Sequence, residues 1–85
     1  MIDTPFPFSN RRFVVEADNQ DPAGQHHQDR GRPFDQELPT SRAAANRAAR
    51  LFLQRGLWVE VYDDDIKELL AGPFDPDQTA PAYII

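Results

Sequence analysis

The fold is decided by residues 40–72, which read TSRAAANRAARLFLQRGLWVEVYDDDIKELLAG. Thr40 or Ser41 can cap a helix, because a hydroxyl oxygen there accepts a hydrogen bond from a free backbone N–H of the first turn. The alanine-rich residues 43–49 have the highest helix propensity available. Gly56 can adopt the left-handed conformation that commonly ends a helix. The stretch therefore predicts a capped helix that stops at Gly56.

A β-hairpin is predicted directly after this helix. Residues 57–62 alternate in polarity, as a strand with one buried face does, and residues 66–71 can return as a second strand. Asp63-Asp64-Asp65 would form a solvated turn between them, and Gly72-Pro73 would stop the second strand. The residues expected to face the helix are Leu57, Val59 and Val61, and those expected on the opposite face are Trp58, Glu60 and Tyr62.

Helical periodicity divides the predicted helix into an apolar side and a basic side. The apolar side should contain Ala44, Ala45, Ala48, Ala49, Leu51 and Phe52, with Leu53 at its margin. The other side should contain Arg42, Asn46, Arg47, Arg50 and Gln54. The small alanine side chains would let the helix lie close against a sheet.

The remaining segments complete a single small domain spanning residues 1–85. Residues 11–17 predict a strand rich in β-formers, which starts a folded core at 11–72. The polar residues 18–39 predict a long loop, part of which, at residues 32–36, could return as a short edge strand. The proline-containing ends should be irregular, as an arm at residues 1–10 and a Pro/Asp-rich tail at residues 73–85. The predicted class is α+β, with one helix packed on a three- to four-stranded, mainly antiparallel sheet.

The composition limits the kinds of function to consider. The 85-residue chain has no cysteine, which excludes disulfides and thiolate chemistry. Residues 2–8 contain Asp3, Pro5 and Pro7 and do not resemble a secretory leader. No apolar run approaches the ~20 residues that span a bilayer. We expect a cytoplasmic protein, in the host cytoplasm if a phage encodes it.

Charge is distributed unevenly along a chain with a net charge of -5. Residues 57–85 carry seven acidic side chains against Lys67 alone, whereas residues 40–56 carry four arginines and no acid. The sequence predicts a dipolar molecule with a basic helix and an acidic carboxyl-terminal half. The overall sign argues against nucleic-acid binding as the main role, because phosphate would be repelled.

Catalytic and metal-binding patterns are weak. The only serines are Ser9 and Ser41, no glycine-rich phosphate loop is present, and no facing carboxylate pair can be placed, so we expect no enzyme activity and no cofactor. The run Asp63-Asp64-Asp65 lacks the alternate spacing of a calcium loop. His26-His27 stands in a polar segment without supporting ligands, so no metal site is expected.

Two aromatic residues on the predicted open sheet face are the strongest candidates for contact with a partner. Trp58 and Tyr62 would lie on either side of Glu60, and exposed rings of this kind anchor interfaces. Alternatively, the amino-terminal arm or the apolar end of the tail, residues 83–85, covers them as a second small core.

The layout resembles that of anti-CRISPR proteins, small inhibitors encoded by phages and mobile elements. The likeness covers residues 40–72 and is carried by the helix Ser41–Arg50, by Gly56 and by the acidic hairpin after it. It implies a non-catalytic acidic inhibitor that docks on a basic nucleic-acid-binding surface, for example of a CRISPR surveillance complex. The candidate partner-binding residues are Trp58, Glu60, Tyr62, Asp63, Asp64, Asp65 and Glu68.

Two other functions remain open from the sequence. The chain could be a homodimeric structural or accessory subunit that pairs through its apolar tail or open sheet face. It could also be a small nucleic-acid-binding regulator that uses Arg42, Arg47 and Arg50. The sequence does not decide whether this arginine side or the Trp58 and Tyr62 face is the binding surface.

Overall fold

Four strands and one helix make up the regular structure of residues 12–22 and 32–85, the part of the chain that the computed structural model describes. The elements in chain order are β1 (Phe13–Asp18), β2 (Asp35–Glu37), α1 (Arg42–Gln54), β3 (Trp58–Asp63) and β4 (Glu68–Phe74). The sheet has the order β2-β1-β3-β4, and each neighbouring pair is antiparallel. This confirms the predicted α+β architecture of one helix on a four-stranded antiparallel sheet. The predicted arm at residues 1–10, residue Arg11 and the pair His26-His27 lie outside the described residues.

Helix α1 begins and ends as its sequence predicts. Ser41, rather than Thr40, is the N-cap, and its hydroxyl oxygen accepts a hydrogen bond from the backbone N–H of Ala44 at 3.1 Å. Gly56 follows the helix with a φ of 82°. A residue with a Cβ would be strained in this conformation, which explains why glycine ends the helix here.

The buried side of α1 is rotated slightly from the predicted one. Ala45, Ala49, Phe52 and Leu53 are buried, whereas 55% of the Leu51 surface is exposed. The expectation that Leu51 faces the sheet was therefore wrong. The buried alanines of α1 face the strands directly, so Leu53 is buried and Leu51 lies at the exposed side of the helix.

The core lies between α1 and the sheet. Leu57, Val59 and Val61 face the helix as predicted, and the two valines are fully buried. From β1 the same core receives Phe13, Val15 and Ala17. Cross-strand pairs such as Val15 and Val61 fix the register, because a shift by one residue would turn every one of these side chains away from the helix.

Strand β4 differs from its predicted bounds at both ends. It starts at Glu68 rather than Ile66, and it continues through Gly72 and Pro73 to Phe74. Gly72-Pro73 therefore does not stop it. A proline is tolerated because β4 is an edge strand, where a missing N–H leaves no partner unpaired. The pairing of β4 with β3 has register shifts between Val59 and Val61 and between Val61 and Tyr62.

The apolar end of the predicted tail returns to the main core instead of covering Trp58 and Tyr62, whereas tail residues Asp75, Gln78, Thr79 and Ala80 line a pocket together with Trp58. Ile84 is buried among the residues packed between α1 and the sheet. Its backbone N–H donates to the side-chain oxygen of Asn46 at 2.6 Å, and the N–H of Ile85 donates to the same oxygen at 3.0 Å. Asn46 was expected on the solvent side of the helix, and it is instead half-buried under the tail.

The predicted short edge strand exists but is displaced. Strand β2 covers Asp35–Glu37 rather than residues 32–36, and it pairs with β1 through Val15, Glu16 and Ala17. With only three residues it leaves much of the flank of α1 without a strand beneath it.

Candidate functional site

The sheet face that points away from α1 holds the first group of predicted site residues. Tyr62 lies opposite Val14, Glu60 opposite Glu16, and Trp58 opposite Asp18 in the β1–β3 register. Trp58 and Tyr62 are half-buried, so the two rings are only partly available to a partner. Tyr62 and Val14 border a groove of about 470 Å³, which also reaches Lys67.

Glu60 is not a surface charge. Only 6% of it is exposed, and its cross-strand neighbour Glu16 is 3% exposed. Sequence reasoning missed Glu16, although its position after Val15 places it on the same face as Glu60 by simple alternation. Because both side chains are buried, neither can contact another protein directly in this conformation.

The three consecutive aspartates have different environments. Asp63 is 1% exposed, and its Oδ1 accepts the backbone N–H groups of Asp65 at 2.8 Å and of Ile66 at 3.4 Å. The prediction of a solvated turn was therefore wrong for Asp63, because this carboxylate organises the turn from within. Asp64 is half-buried and forms an ion pair with Lys67 at 2.7 Å. Asp65 is exposed.

After the buried Asp63 and the half-buried Asp64, the chain is exposed over six consecutive residues. We call residues 65–70, DIKELL, the hairpin surface. Its large apolar members are Ile66, Leu69 and Leu70, which are 60%, 43% and 39% exposed. Asp65 and Glu68 supply exposed acidic groups on the same segment. Of the predicted charged residues, these two are the ones that remain freely accessible.

Sequence reasoning missed the apolar part of the hairpin surface. It assigned residues 66–71 to a strand and named Glu68 alone among them as a candidate site residue. The available signal was the adjacent pair Leu69-Leu70, since neighbouring residues of a strand point to opposite faces and cannot both enter one core. Because β4 is an edge strand, its outer side also lacks a neighbouring strand within the described residues.

A second candidate surface lies between α1 and β2. This helix groove has a volume of about 830 Å³. Its apolar lining includes Leu38, Ala48, Leu51 and Phe52, and Arg47 and Arg55 also line it. At one end, Arg55 donates to Asp35 at 3.0 Å and lies 5.4 Å from the ring centre of Phe52.

The arginine side of the helix remains largely unneutralised. The hydrogen bond from Arg55, followed by one from the backbone N–H of Gln36, lowers the pKa of Asp35 below its usual value. Within the described residues, Arg42, Arg47 and Arg50 have no ion pair. The tail approaches α1 through the side-chain amide of Asn46.

Neither a metal cluster nor a membrane-spanning helix is found in the described ranges. Residues 12–22 and 32–85 contain no group of three or more His, Cys, Asp or Glu side chains placed to hold a metal ion. Over the same residues, no helix combines the length and the apolar character that crossing a bilayer requires.

Comparison of the chain with models of protein families, with curated proteins and with solved structures gives no match.

Proposed function

We propose that this protein is a non-catalytic binding protein that docks through its hairpin surface on a basic, partly apolar site of another protein. The observation that supports this most strongly is the exposure of six consecutive residues, three of them large and apolar and two of them acidic. Exposed apolar residues grouped on one edge mark interaction sites more often than isolated ones do.

The two kinds of side chain would contribute differently to binding. Burial of Ile66, Leu69 and Leu70 would slow dissociation, since apolar contacts at the centre of an interface supply most of its free energy. Asp65 and Glu68 belong to residues 57–85, which carry seven acids against Lys67, and they would accelerate association with a basic partner. Trp58 and Tyr62 would add contacts at the margin, because they are half-buried.

The partner class follows from this charge. A basic nucleic-acid-binding surface of a host complex satisfies the electrostatic requirement, and occupation of that surface would inhibit the complex. The resemblance to anti-CRISPR proteins makes a CRISPR surveillance complex in the cytoplasm the first partner to test. Inhibition would then result from competition with nucleic acid and would require no catalysis.

The test uses tagged wild-type protein and two variants of the hairpin surface. In the first, Asp65→Ala is combined with Glu68→Ala, and in the second Leu69→Ala is combined with Leu70→Ala. Binding kinetics would be measured at low and high salt on purified surveillance complexes and on any basic protein captured from a bacterial lysate. We expect the acidic double variant to lower the association rate constant at low salt, and the leucine double variant to raise the dissociation rate constant.

Matched controls are available on the tail. Asp77→Ala removes an exposed acid and Tyr83→Ala removes an aromatic residue that is 81% exposed, both away from the hairpin surface. These controls should bind like wild type. Equal binding by wild type and both hairpin variants would overturn the proposal, as would the absence of any basic partner.

A further inference from the structure

The helix groove is an apolar surface that the described part of the chain leaves uncovered. Leu38 and Leu51 at its mouth are 51% and 55% exposed. The cause is the shortness of β2, which ends at Glu37 and does not extend along the length of α1. Burial of these leucines against another surface would be favourable at about 25 cal/mol for each Å² of apolar area removed from water.

The charge at this groove defines what can fill it. Arg47 lines the groove and has no ion pair with any described residue, and α1 has no acidic residue in its sequence. The pair between Arg55 and Asp35 at the groove's end shows an arginine of this surface holding a carboxylate. The complementary occupant is a segment with apolar side chains and nearby carboxylates.

The hairpin surface has this composition. We infer that the helix groove receives the hairpin surface of a second copy of this chain, with Leu70 entering the apolar lining and Glu68, on the same face of β4 by strand alternation, contacting Arg47. The inference rests on the proposed function in taking residues 65–70 as a docking element, so the second copy and the basic partner would compete for this surface. A nucleic acid is a poorer occupant, since its phosphates would gain nothing from Leu38 and Leu51 and would be repelled by a chain of net charge -5.

The positions of the two surfaces permit a closed dimer. The backbone N–H of Phe13 donates to the carbonyl of Pro39 at 2.8 Å, next to the groove residue Leu38. The N–H of Asp64 donates to the carbonyl of Arg12 at 2.9 Å, next to the hairpin surface. Both surfaces therefore reach the same end of the sheet, so a two-fold axis there can place each hairpin surface in the groove of the other copy.

Sedimentation velocity over a range of protein concentrations tests the inference. The proteins are wild type, Arg47→Glu, Glu68→Arg and the double charge swap, with Arg50→Glu as a control on the same helix outside the groove lining. We expect the wild type to form a dimer and the double charge swap to recover it. Each single variant, Arg47→Glu or Glu68→Arg, should raise the dissociation constant of the dimer at least about tenfold, since a contact worth about 1.4 kcal/mol corresponds to that factor. Arg50→Glu should sediment like wild type.

Three results would overturn the inference. They are a monomeric wild type at every concentration, an equal loss of dimer in Arg50→Glu and Arg47→Glu, and failure of the double swap to recover the dimer. Low-salt mobility shifts of DNA and RNA that Arg47→Glu abolishes would show that nucleic acid is the occupant instead. Circular dichroism would verify that each variant is folded.

The two proposals fail separately. Arg47→Glu leaves residues 65–70 unchanged, so it would still bind a basic partner if only the dimer is wrong. If the dimer is weakened in the single variants and recovered in the double charge swap, but no basic partner is found, only the proposed function is overturned.

Discussion

The side-chain amide of Asn46 on α1 holds the backbone of Ile84, 38 positions later in the chain, through a hydrogen bond of 2.6 Å. The same oxygen accepts from Ile85 N–H at 3.0 Å, and the amide nitrogen donates to the carbonyl of Ile85 at 3.4 Å. One polar side chain thus attaches an otherwise irregular tail to the helix and positions Ile84 in the core.

Replacement of Asn46 by Ala should lower the free energy of unfolding by about 1–3 kcal/mol, because the partly buried N–H groups of the tail would lose their acceptor. Asn46→Asp is the matched variant, since it keeps an acceptor oxygen but loses the donor to Ile85. It should be less destabilising than Asn46→Ala in urea denaturation. If Asn46→Ala unfolds at the wild-type urea concentration, the tail does not depend on this contact.

Gly72 and Gly56 provide a comparison of two glycines with positive φ. A Cβ at Gly72 would lie 2.5 Å from the carbonyl oxygen of Val59, whereas a Cβ at Gly56 would meet nothing within 4 Å. Gly56→Ala should therefore cost about 1–2 kcal/mol for the left-handed conformation alone. Gly72→Ala should cost about 2–5 kcal/mol, since overpacking adds to the same conformational strain. Thermal unfolding of both variants measures the difference, and equal effects would contradict the close approach of β4 to Val59.

Asp63 and Asp65 should behave differently although they stand in the same acidic run. Asp63→Ala would remove the acceptor of two turn N–H groups at a buried position, and we expect a loss of about 1–3 kcal/mol of stability. Asp65→Ala, on the exposed hairpin surface, should change stability by less than about 0.5 kcal/mol. Urea denaturation of the two variants decides the point, and a stable Asp63→Ala protein would show that the turn forms without its carboxylate.

The ion pair between Arg55 and Asp35 should make a small contribution that depends on pH. The pKa of Asp35 is lowered in the folded protein, chiefly by the hydrogen bond from Arg55, relative to about 3.9 for an unfolded aspartate. The unfolded state therefore binds the proton more readily, so the contribution is present above about pH 4 and is lost as the pH falls through the folded pKa.

The measurement is the stability difference between wild type and Asp35→Asn as a function of pH. We expect a difference in stability near neutral pH that becomes smaller in acid. Because Asp35 and Arg55 are both partly exposed, this difference should be small and should decrease with added salt. Glu37→Gln, on the same strand, is the matched control and should not reproduce this dependence. A difference that stays constant down to the most acidic pH would contradict the assigned pair.

Local patterns were sufficient for the elements whose stability is local. Ser41, the alanines and Gly56 specify α1 through backbone hydrogen bonding and propensity, and the alternation from Leu57 to Val61 specifies the buried face of β3. The candidate site was predicted less well. Glu60 and Asp63 have the composition of surface charges, yet both are buried, because their strand positions determine their burial.

By itself, the sequence determined the α+β class, the capped helix, the hairpin and the dipolar distribution of charge. The tertiary structure alone decided that Asn46 binds the tail, that β4 passes through Pro73 and that residues 65–70 form an exposed apolar edge. The physical reason is the range of the interactions. Caps, propensities and alternation act within a few residues, whereas the accessibility of a side chain depends on which distant segments pack beside it.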